Sequence, residues 1–193
     1  VVGGIGFLTW DDVRTNRLCF HRYRLQSKVI LTSTALLILL PTLYFFCFEF
    51  KGSTLRERLL LSLFQSVTPR TAGFNTADYT SLSSSGRGLT ILLMFIGGSP
   101  GSTAGGIKTT TLAVLVLGVR SNVRHEADIN VFGRRLEEDA VKRASAILMI
   151  NLTLALVASL WICSADGMSA MDAMFEAFSA IGTVGITVGI TRD

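Results

Sequence analysis

Residues 55–76, LRERLLLSLFQSVTPRTAGFNT, contain a short amphipathic stretch that runs into a proline and then into a Thr-Ala-Gly tripeptide. The apolar pattern of residues 55–67 predicts a helix, but a helix needs about 20 residues to cross a bilayer. Pro69 ends it, because proline lacks an amide proton and its ring clashes with the preceding turn. A short helix followed by an irregular, glycine-containing segment is typical of a re-entrant loop, which is tolerated at membrane depth where it lines a cavity or is buried in protein. An amphipathic helix and turn outside the membrane is the alternative.

Long apolar stretches flank this segment on both sides. Residues 29–48 carry no charge, and residues 144–165 are equally apolar, so each predicts a membrane-spanning helix. The whole chain is 49% hydrophobic and 17% charged, whereas soluble domains usually carry about 25% charged residues. The composition therefore predicts a protein that lies in a lipid bilayer.

Basic residues concentrate in two segments, residues 11–28 and 120–143. The net charge of +4 is compatible with nucleic-acid binding, but this distribution is typical of cytoplasmic loops between membrane spans. We therefore expect both segments to lie in the cytoplasm of a multi-pass protein in the bacterial plasma membrane, with no nucleic acid as a partner.

A second Thr-x-Gly tripeptide occupies a matching position near the end of the chain. Residues 169–181 predict another short helix, and GTVGITVGIT follows it. Glycine relaxes the backbone restriction and allows successive carbonyls to face one axis, and rings of carbonyls replace the water around a potassium ion. The candidate ion-binding residues of the two loops are Thr71, Ala72, Gly73, Phe74, Thr183, Val184, Gly185 and Ile186.

A glycine-rich segment interrupts the third apolar stretch, residues 89–119. Glycine costs about 1 kcal/mol and proline about 3 kcal/mol relative to alanine inside a helix, so residues 97–106 predict a broken helix with a flexible loop at mid-membrane. Close helix packing through a doubled GxxxG pattern is the alternative. The candidate gate residues are Gly97, Gly98, Ser99, Pro100, Gly101, Ser102, Thr103, Ala104, Gly105, Gly106 and Lys108.

The sequence offers little support for an enzyme. GSTAGGIK at residues 101–108 nearly matches a phosphate-binding loop, but Ile107 separates the glycine from the lysine that should follow it directly. No nucleophile and base are paired, and we expect no cofactor or resident metal. The three cysteines, Cys19, Cys47 and Cys163, are too far apart in sequence for a metal-ligand pattern and are expected to be unpaired.

Arg70 precedes the first tripeptide directly. A cation in a cation filter would repel the ion, so we expect Arg70 behind the filter, bonded to carbonyls or to a carboxylate such as Glu57 or Glu176. Lys108 is expected near the inner half of a pore-lining helix, although a lysine that reaches to the membrane interface is the alternative.

The order of span, short helix, Thr-x-Gly loop and second span occurs once in full and then begins again, which indicates an internal repeat. We expect an all-α membrane protein, seen as a piece of a longer chain. Its predicted parts are the end of a preceding span with a cytoplasmic loop, one complete repeat, a second cytoplasmic loop and an incomplete repeat. They cover residues 1–28, 29–119, 120–143 and 144–193.

Three stretches, LFQSVTPRTAGFNT, GGSPGSTAGGIKTTT and FEAFSAIGTVGIT, resemble the membrane subunits of bacterial Trk/Ktr potassium transporters, most closely the Ktr or NtpJ-like type. The resemblance implies four repeats of a first membrane helix, a pore helix with its filter loop, and a second membrane helix, as in potassium channels. This chain would hold the third repeat and part of the fourth, with Gly73 and Gly185 in the filter and residues 97–106 as a gate. It also implies a homodimer, a cytoplasmic ring of nucleotide-binding regulatory subunits, and uptake promoted by sodium.

The sequence thus predicts potassium uptake through a carbonyl-lined filter that an intramembrane loop gates. Two alternatives remain at this stage. One is a secondary transporter with broken helices that binds its substrate at the midplane, and the other is a membrane scaffold that transports nothing and binds partners through its basic loops.

Overall fold

The computed structural model describes residues 2–17, 19–52, 54–74, 79–125, 129–132, 134–135 and 138–189. Within these ranges the regular secondary structure is helical apart from one short ribbon, in which β1 (Asn130–Val131) pairs antiparallel with β2 (Arg134–Arg135). The helices are α1 (Phe7–Asn16), α2 (Leu25–Phe48), α3 (Leu55–Val67), α4 (Ser84–Phe95), α5 (Thr109–Val123), α6 (Glu138–Asp166) and α7 (Ala170–Ile181). Single 3-10 turns lie at Val2–Gly4, Phe20–Arg22 and Tyr79–Ser81.

Two of the described helices, α2 and α6, are long and apolar enough to cross a membrane. Both expose large apolar side chains that a soluble protein would bury. Leu39 of α2 is 64% exposed, and Trp161 of α6 is 76% exposed. Large exposed apolar surfaces mark sites that lipid or further protein covers, which agrees with the prediction of membrane spans at these two positions.

Capping side chains mark the beginnings of the two short helices, α3 and α7. α3 has the predicted bounds, and the Glu57 carboxylate at its start accepts hydrogen bonds from the Thr54 backbone N (3.3 Å) and the Thr54 hydroxyl (2.8 Å). α7 begins after Ser169, whose hydroxyl accepts from the Asp172 backbone N at 3.2 Å. Such caps satisfy amide groups that the first helical turn leaves without partners.

The spanning helices support the short ones. α3 packs on α2, where the Thr42 and Ser66 hydroxyls lie 2.8 Å apart, and α7 packs on α6 and α4. An apolar core fills the space between α4, α6 and α7 and includes Met94, Phe175 and Phe178. The second Thr-x-Gly loop contributes to the same core, which fixes this loop against α7.

The third apolar stretch is broken as its glycines predict, because α4 ends at Phe95 and α5 begins only at Thr109. The two ends of the break are hydrogen-bonded to each other: the Gly97 backbone N donates to the Ile107 carbonyl (2.9 Å), and the Ile107 backbone N donates to the Phe95 carbonyl (3.0 Å). Ile96 and Ile107 form a parallel bridge. The chain therefore leaves the helix, makes a closed loop, and returns beside its starting point in the same direction.

The amino-terminal residues repeat the second half of this arrangement. The sequence GGI occurs at residues 3–5 and again at residues 105–107, and matching the two aligns Phe7 with Thr109, which are the first residues of α1 and α5. The assignment of the chain to numbered repeats and to the four predicted parts remains a prediction.

Candidate functional site

The first Thr-x-Gly loop has an alternating backbone. Thr71 has a φ of 65° and Gly73 a φ of 72°, while Ala72 between them is not in the positive region. A positive φ is uncommon for any residue with a side chain and is an outlier for a β-branched one. This alternation of φ distinguishes the loop from an extended strand, in which successive residues all have negative φ.

The second loop has the same alternation at the matching residues. Thr183 has a φ of 52° and Gly185 a φ of 81°, and Val184 between them is not positive. Two loops of different sequence therefore share one unusual backbone conformation. Each follows the carboxyl end of a short helix, α3 or α7, where the helix dipole contributes a negative partial charge.

The two loops lie side by side. A side-chain carbon added at Gly73 would stand only 2.2 Å from the Val184 carbonyl oxygen, so this oxygen faces the first loop across a gap that only glycine allows. Among the described residues, no donor is hydrogen-bonded to the carbonyls of Thr71–Gly73 or of Thr183–Gly185. These oxygens remain available to an ion.

Hydroxyl groups behind the loops hold the residue after each glycine. The Thr68 hydroxyl donates to the Phe74 carbonyl (2.7 Å) and accepts from the Phe74 backbone N (3.0 Å). In the second loop the Ser179 hydroxyl donates to the Ile186 carbonyl at 2.6 Å. The Phe74 and Ile186 carbonyls are thus occupied by protein donors, unlike those of the three residues before them.

A carboxylate adds a further hydrogen bond behind the second loop. Glu176 Oε1 accepts from the Thr187 hydroxyl (2.5 Å) and from the Val188 backbone N (2.8 Å). Sequence reasoning missed this role, as it missed Thr68 and Ser179. The signal that could have revealed these three residues is a polar side chain in or directly after an apolar short helix, a few residues before the Thr-x-Gly loop.

The glycine-rich loop lies directly against the second Thr-x-Gly loop. A side-chain carbon at Gly105 would stand 2.1 Å from Thr183 Oγ1 and 3.0 Å from the Gly182 carbonyl oxygen. Glycine is required at this position by the close approach of the Thr183 side chain and of the Gly182 carbonyl. The candidate gate is therefore in contact with the candidate filter.

Internal hydrogen bonds give the glycine-rich loop a defined shape. The Lys108 ammonium donates to the Ala104 carbonyl, the Ser102 hydroxyl donates to the Ser99 carbonyl (2.5 Å), and the Ser99 and Thr109 hydroxyls lie 3.2 Å apart. Lys108 turns back onto the loop, which differs from the predicted alternative of a lysine reaching to the membrane interface.

The loop also rests on the amino-terminal segment. The Ser99 backbone N donates to the Gly4 carbonyl (2.9 Å), and the Phe7 backbone N donates to the Gly101 carbonyl (3.3 Å). Nothing in the sequence pattern indicated this contact, because it joins residues that are far apart in the chain.

A cavity of about 120 Å³ separates the first Thr-x-Gly loop from the glycine-rich loop. Thr71 and Ala72 line one side of it, and Gly98, Thr103 and Ala104 line the other. The Thr34 and Thr71 hydroxyls are buried without a hydrogen-bond partner among the described residues. A polar cavity of this volume has room for several water molecules, and Arg70 also lines it.

Arg70 lies between the same two elements. Its guanidinium donates from Nη2 to the Gly97 carbonyl at 3.5 Å, which confirms a carbonyl as a partner. The proposed carboxylate partners are wrong for the described residues, because Glu57 caps α3 and Glu176 binds Thr187 and Val188. Each carboxylate is engaged by groups of its own helix start or its own loop, Glu57 by Thr54 and Glu176 by Thr187 and Val188.

The remaining candidate features do not form a site. The three cysteines are free, as predicted, and no group of three or more His, Cys, Asp or Glu residues suited to a metal occurs in the described part of the chain. The structure thus brings together the two Thr-x-Gly loops and the glycine-rich loop, which are the elements that the sequence singled out.

A family model described as a cation transport protein, TrkH, matches residues 6–193. The chain belongs to the TrkH family. It is 40% identical to the potassium/sodium uptake protein NtpJ of Enterococcus hirae, over 100% of this chain and 45% of that protein. It is 36% identical to the Ktr system potassium uptake protein B of Bacillus subtilis, over 100% of this chain and 44% of that protein.

A solved structure shares the fold of this TrkH-family chain. The potassium transporter TrkH of Vibrio parahaemolyticus matches with a TM-score of 0.74 and 21% identity, covering 99% of this chain and 44% of that one. The chain spans somewhat less than half the length of these relatives. Membership of the family and the two long apolar helices establish it as a membrane protein.

Proposed function

We propose that this chain forms part of a pathway through which potassium enters a bacterial cell. The observation that carries the proposal is the shared alternation of φ at Thr71–Gly73 and Thr183–Gly185. It leaves two sets of carbonyl oxygens without protein donors among the described residues, and carbonyl oxygens in this arrangement replace the hydration shell of a potassium ion. The relatives are named as uptake proteins for potassium, or for potassium and sodium, and these names support potassium as the transported ion.

Two segments make only part of a ring of carbonyls. The remaining segments come from the rest of the protein, in keeping with the greater length of the relatives. The chain needs no cofactor for this step, since potassium is the cargo. Sodium promotes uptake as a second ion in this proposal.

The glycine-rich loop is proposed to gate the pathway. Its contact with Thr183 and its position across the 120 Å³ cavity support this role. An ion that leaves the filter would have to displace this loop. The loop is held in place by hydrogen bonds and not by a large apolar core.

Cytoplasmic partners are proposed to set the position of the gate. The segments 11–28 and 120–143 are the basic regions that we assign to the cytoplasm, and β1 and β2 lie in the second of them. We propose that they face a ring of nucleotide-binding regulatory subunits, with two copies of the whole protein forming a dimer in the bilayer.

The experiment that tests the proposal is uptake of rubidium, a potassium substitute, in cells that lack other uptake systems. Wild-type full-length protein is compared with Gly185→Ser, which places a side chain on a residue with a φ of 81°. We expect the substitution to weaken affinity for rubidium and discrimination against sodium, because it disturbs the carbonyls of the second loop.

Uptake by Gly185→Ser with wild-type affinity and discrimination would contradict the filter assignment. Absence of uptake by well-inserted wild-type protein, with its regulatory partner present, would favour the scaffold. Saturable uptake that is coupled to a second substrate and insensitive to filter substitutions would favour the midplane-binding transporter.

A further inference from the structure

One face of α7 carries three polar side chains that all act on the second filter loop or on its support. Asp172, Glu176 and Ser179 are spaced four and three positions apart, so they lie above one another on the helix. Ser179 holds the Ile186 carbonyl, and its own backbone carbonyl accepts from the Val184 backbone N at 2.9 Å. Asp172 forms an ion pair of 3.2 Å with Arg87 of α4.

Glu176 is the member of this face that holds the outer end of the loop. Its Oε1 atom receives the Thr187 hydroxyl and the Val188 backbone N. The Thr187 hydroxyl also accepts from the Gly189 backbone N at 3.1 Å. One carboxylate oxygen therefore fixes three consecutive residues directly after the candidate ion-binding carbonyls.

The first filter loop is held differently. Phe64 occupies the position of α3 that aligns with Glu176 when Thr71 is aligned with Thr183, so no carboxylate is available there. A single hydroxyl, that of Thr68, binds both polar backbone atoms of Phe74 instead. The outer end of the second loop thus depends on a side chain that the first loop does not have.

We propose that Glu176 is a positioning residue for ion discrimination, and that its carboxylate sets the position of the outer end of the second filter loop. The inference rests on the proposed filter and deepens it. Discrimination against small cations such as sodium depends on how many carbonyls surround the ion and on how they are arranged. Removal of this acceptor breaks the hydrogen bonds from Thr187 and Val188 and allows this end of the loop to move.

The test is rubidium uptake competed by sodium in the full-length protein, with Glu176→Ala compared with Glu176→Gln. Alanine removes the acceptor, so we expect discrimination between rubidium and sodium to fall about fivefold or more. A loss of this size corresponds to the free energy of one hydrogen bond. Glutamine retains a carbonyl oxygen that accepts both hydrogen bonds, so we expect it to stay within about twofold of wild type.

Glu57→Ala is the matched control. Glu57 is the carboxylate of the other short helix, but it binds only Thr54 at the start of that helix. We expect its removal to reduce the amount of inserted protein, by weakening a helix cap, and to leave discrimination unchanged.

Unchanged discrimination in Glu176→Ala, or an equal loss of rubidium and sodium uptake, would overturn the proposal. The proposal would also be overturned if Glu176→Gln lost as much discrimination as Glu176→Ala. Discrimination would then depend on the negative charge and not on the hydrogen bonds. If Glu176→Ala does not insert, Thr187→Val serves in its place, since it removes one of the two donors, and it must show a partial loss.

The same experiment separates this inference from the proposed function. A change of discrimination in Gly185→Ser without one in Glu176→Ala would reject the role of Glu176 alone. Wild-type discrimination in both variants would reject the filter itself.

Discussion

Two threonines at the centre of the candidate site have backbone conformations that their side chains disfavour. Thr71 and Thr183 both have positive φ values, and such residues cost about 1–3 kcal/mol each when the surrounding structure imposes them. The surrounding structure here is the set of hydrogen bonds from Thr68 and Ser179. Strain at matching positions of two loops is the residue-scale observation that favours a functional role for both.

The two filter glycines should respond differently to substitution by alanine. Gly73→Ala adds a carbon 2.2 Å from the Val184 carbonyl oxygen, whereas Gly185→Ala meets nothing within 4 Å. We expect both to reduce rubidium affinity through backbone strain, and Gly73→Ala to reduce it at least about fivefold more, because the two loops must also separate. Initial rates of rubidium uptake over a range of concentrations measure the difference.

Gly167→Ala is the control for strain alone. Gly167 has a φ of 63° with nothing within 4 Å, and it lies in the turn between α6 and α7. We expect a small loss of stability, about 1 kcal/mol, with wild-type affinity for rubidium. Equal effects of Gly73→Ala and Gly185→Ala would show that the two loops are not in contact during transport.

At the scale of elements, the break between α4 and α5 is a closed loop and not a disordered gap. Its ends are joined by the hydrogen bonds between Gly97, Ile107 and Phe95, and its centre rests on Gly4 and Phe7. The helix that follows Phe7, α1, is itself tied to α2, because the buried Asp12 carboxylate accepts from the Ser27 hydroxyl at 2.5 Å. The candidate gate is therefore connected to the start of a spanning helix at the side that we assign to the cytoplasm.

Deletion of residues 98–104 should increase flux without disrupting the helices around it. The ends of the loop are already adjacent, so a short connection can replace it at small cost in chain entropy. We expect a higher maximal rate of rubidium uptake, because the deletion removes Gly98, Thr103 and Ala104, which line the cavity opposite the first Thr-x-Gly loop. Uptake assays at saturating rubidium, normalised to the amount of inserted protein, measure it.

Gly101→Ala provides the comparison within the same loop. Gly101 has a φ of 68°, so alanine strains the backbone there, but the added carbon meets nothing within 4 Å. The loop itself is retained, so we expect a maximal rate close to that of wild type. An unchanged rate in the deletion variant would reduce the loop to a packing element.

At the scale of the whole molecule, orientation in the bilayer follows from the distribution of charge. The basic segments 11–28 and 120–143 predict a cytoplasmic side, and the short helices α3 and α7 then enter from the outside. Large apolar surfaces of α2 and α6 remain exposed, and we expect lipid to cover them.

The natural cysteines allow this orientation to be measured. Cys19 and Cys47 are both exposed. Cys19 lies before the amino-terminal end of α2, and Cys47 lies in its last turn. We expect a membrane-impermeant maleimide added to intact cells to label Cys47 but not Cys19, and permeabilised cells to allow labelling of both. Single-cysteine variants made by Cys→Ser substitution assign the signals, and labelling of Cys19 in intact cells would contradict the orientation.

The sequence by itself determined the membrane class, the positions of the spans and short helices, and the break at the glycine-rich segment. These depend on composition, on local periodicity and on proline and glycine, all of which act over a few residues. For the two Thr-x-Gly loops, the sequence predicted only that glycine relaxes the backbone. The positive φ of Thr71 and Thr183 is known only from the tertiary structure.

Only the tertiary structure decided which distant residues meet. Gly105 lies against Thr183, Ser99 binds Gly4, and Glu176 binds Thr187 instead of Arg70. Such contacts depend on how the short helices pack against the spanning ones, because a carboxylate binds whichever donor that packing brings within about 3 Å. No local pattern in the sequence specifies that choice.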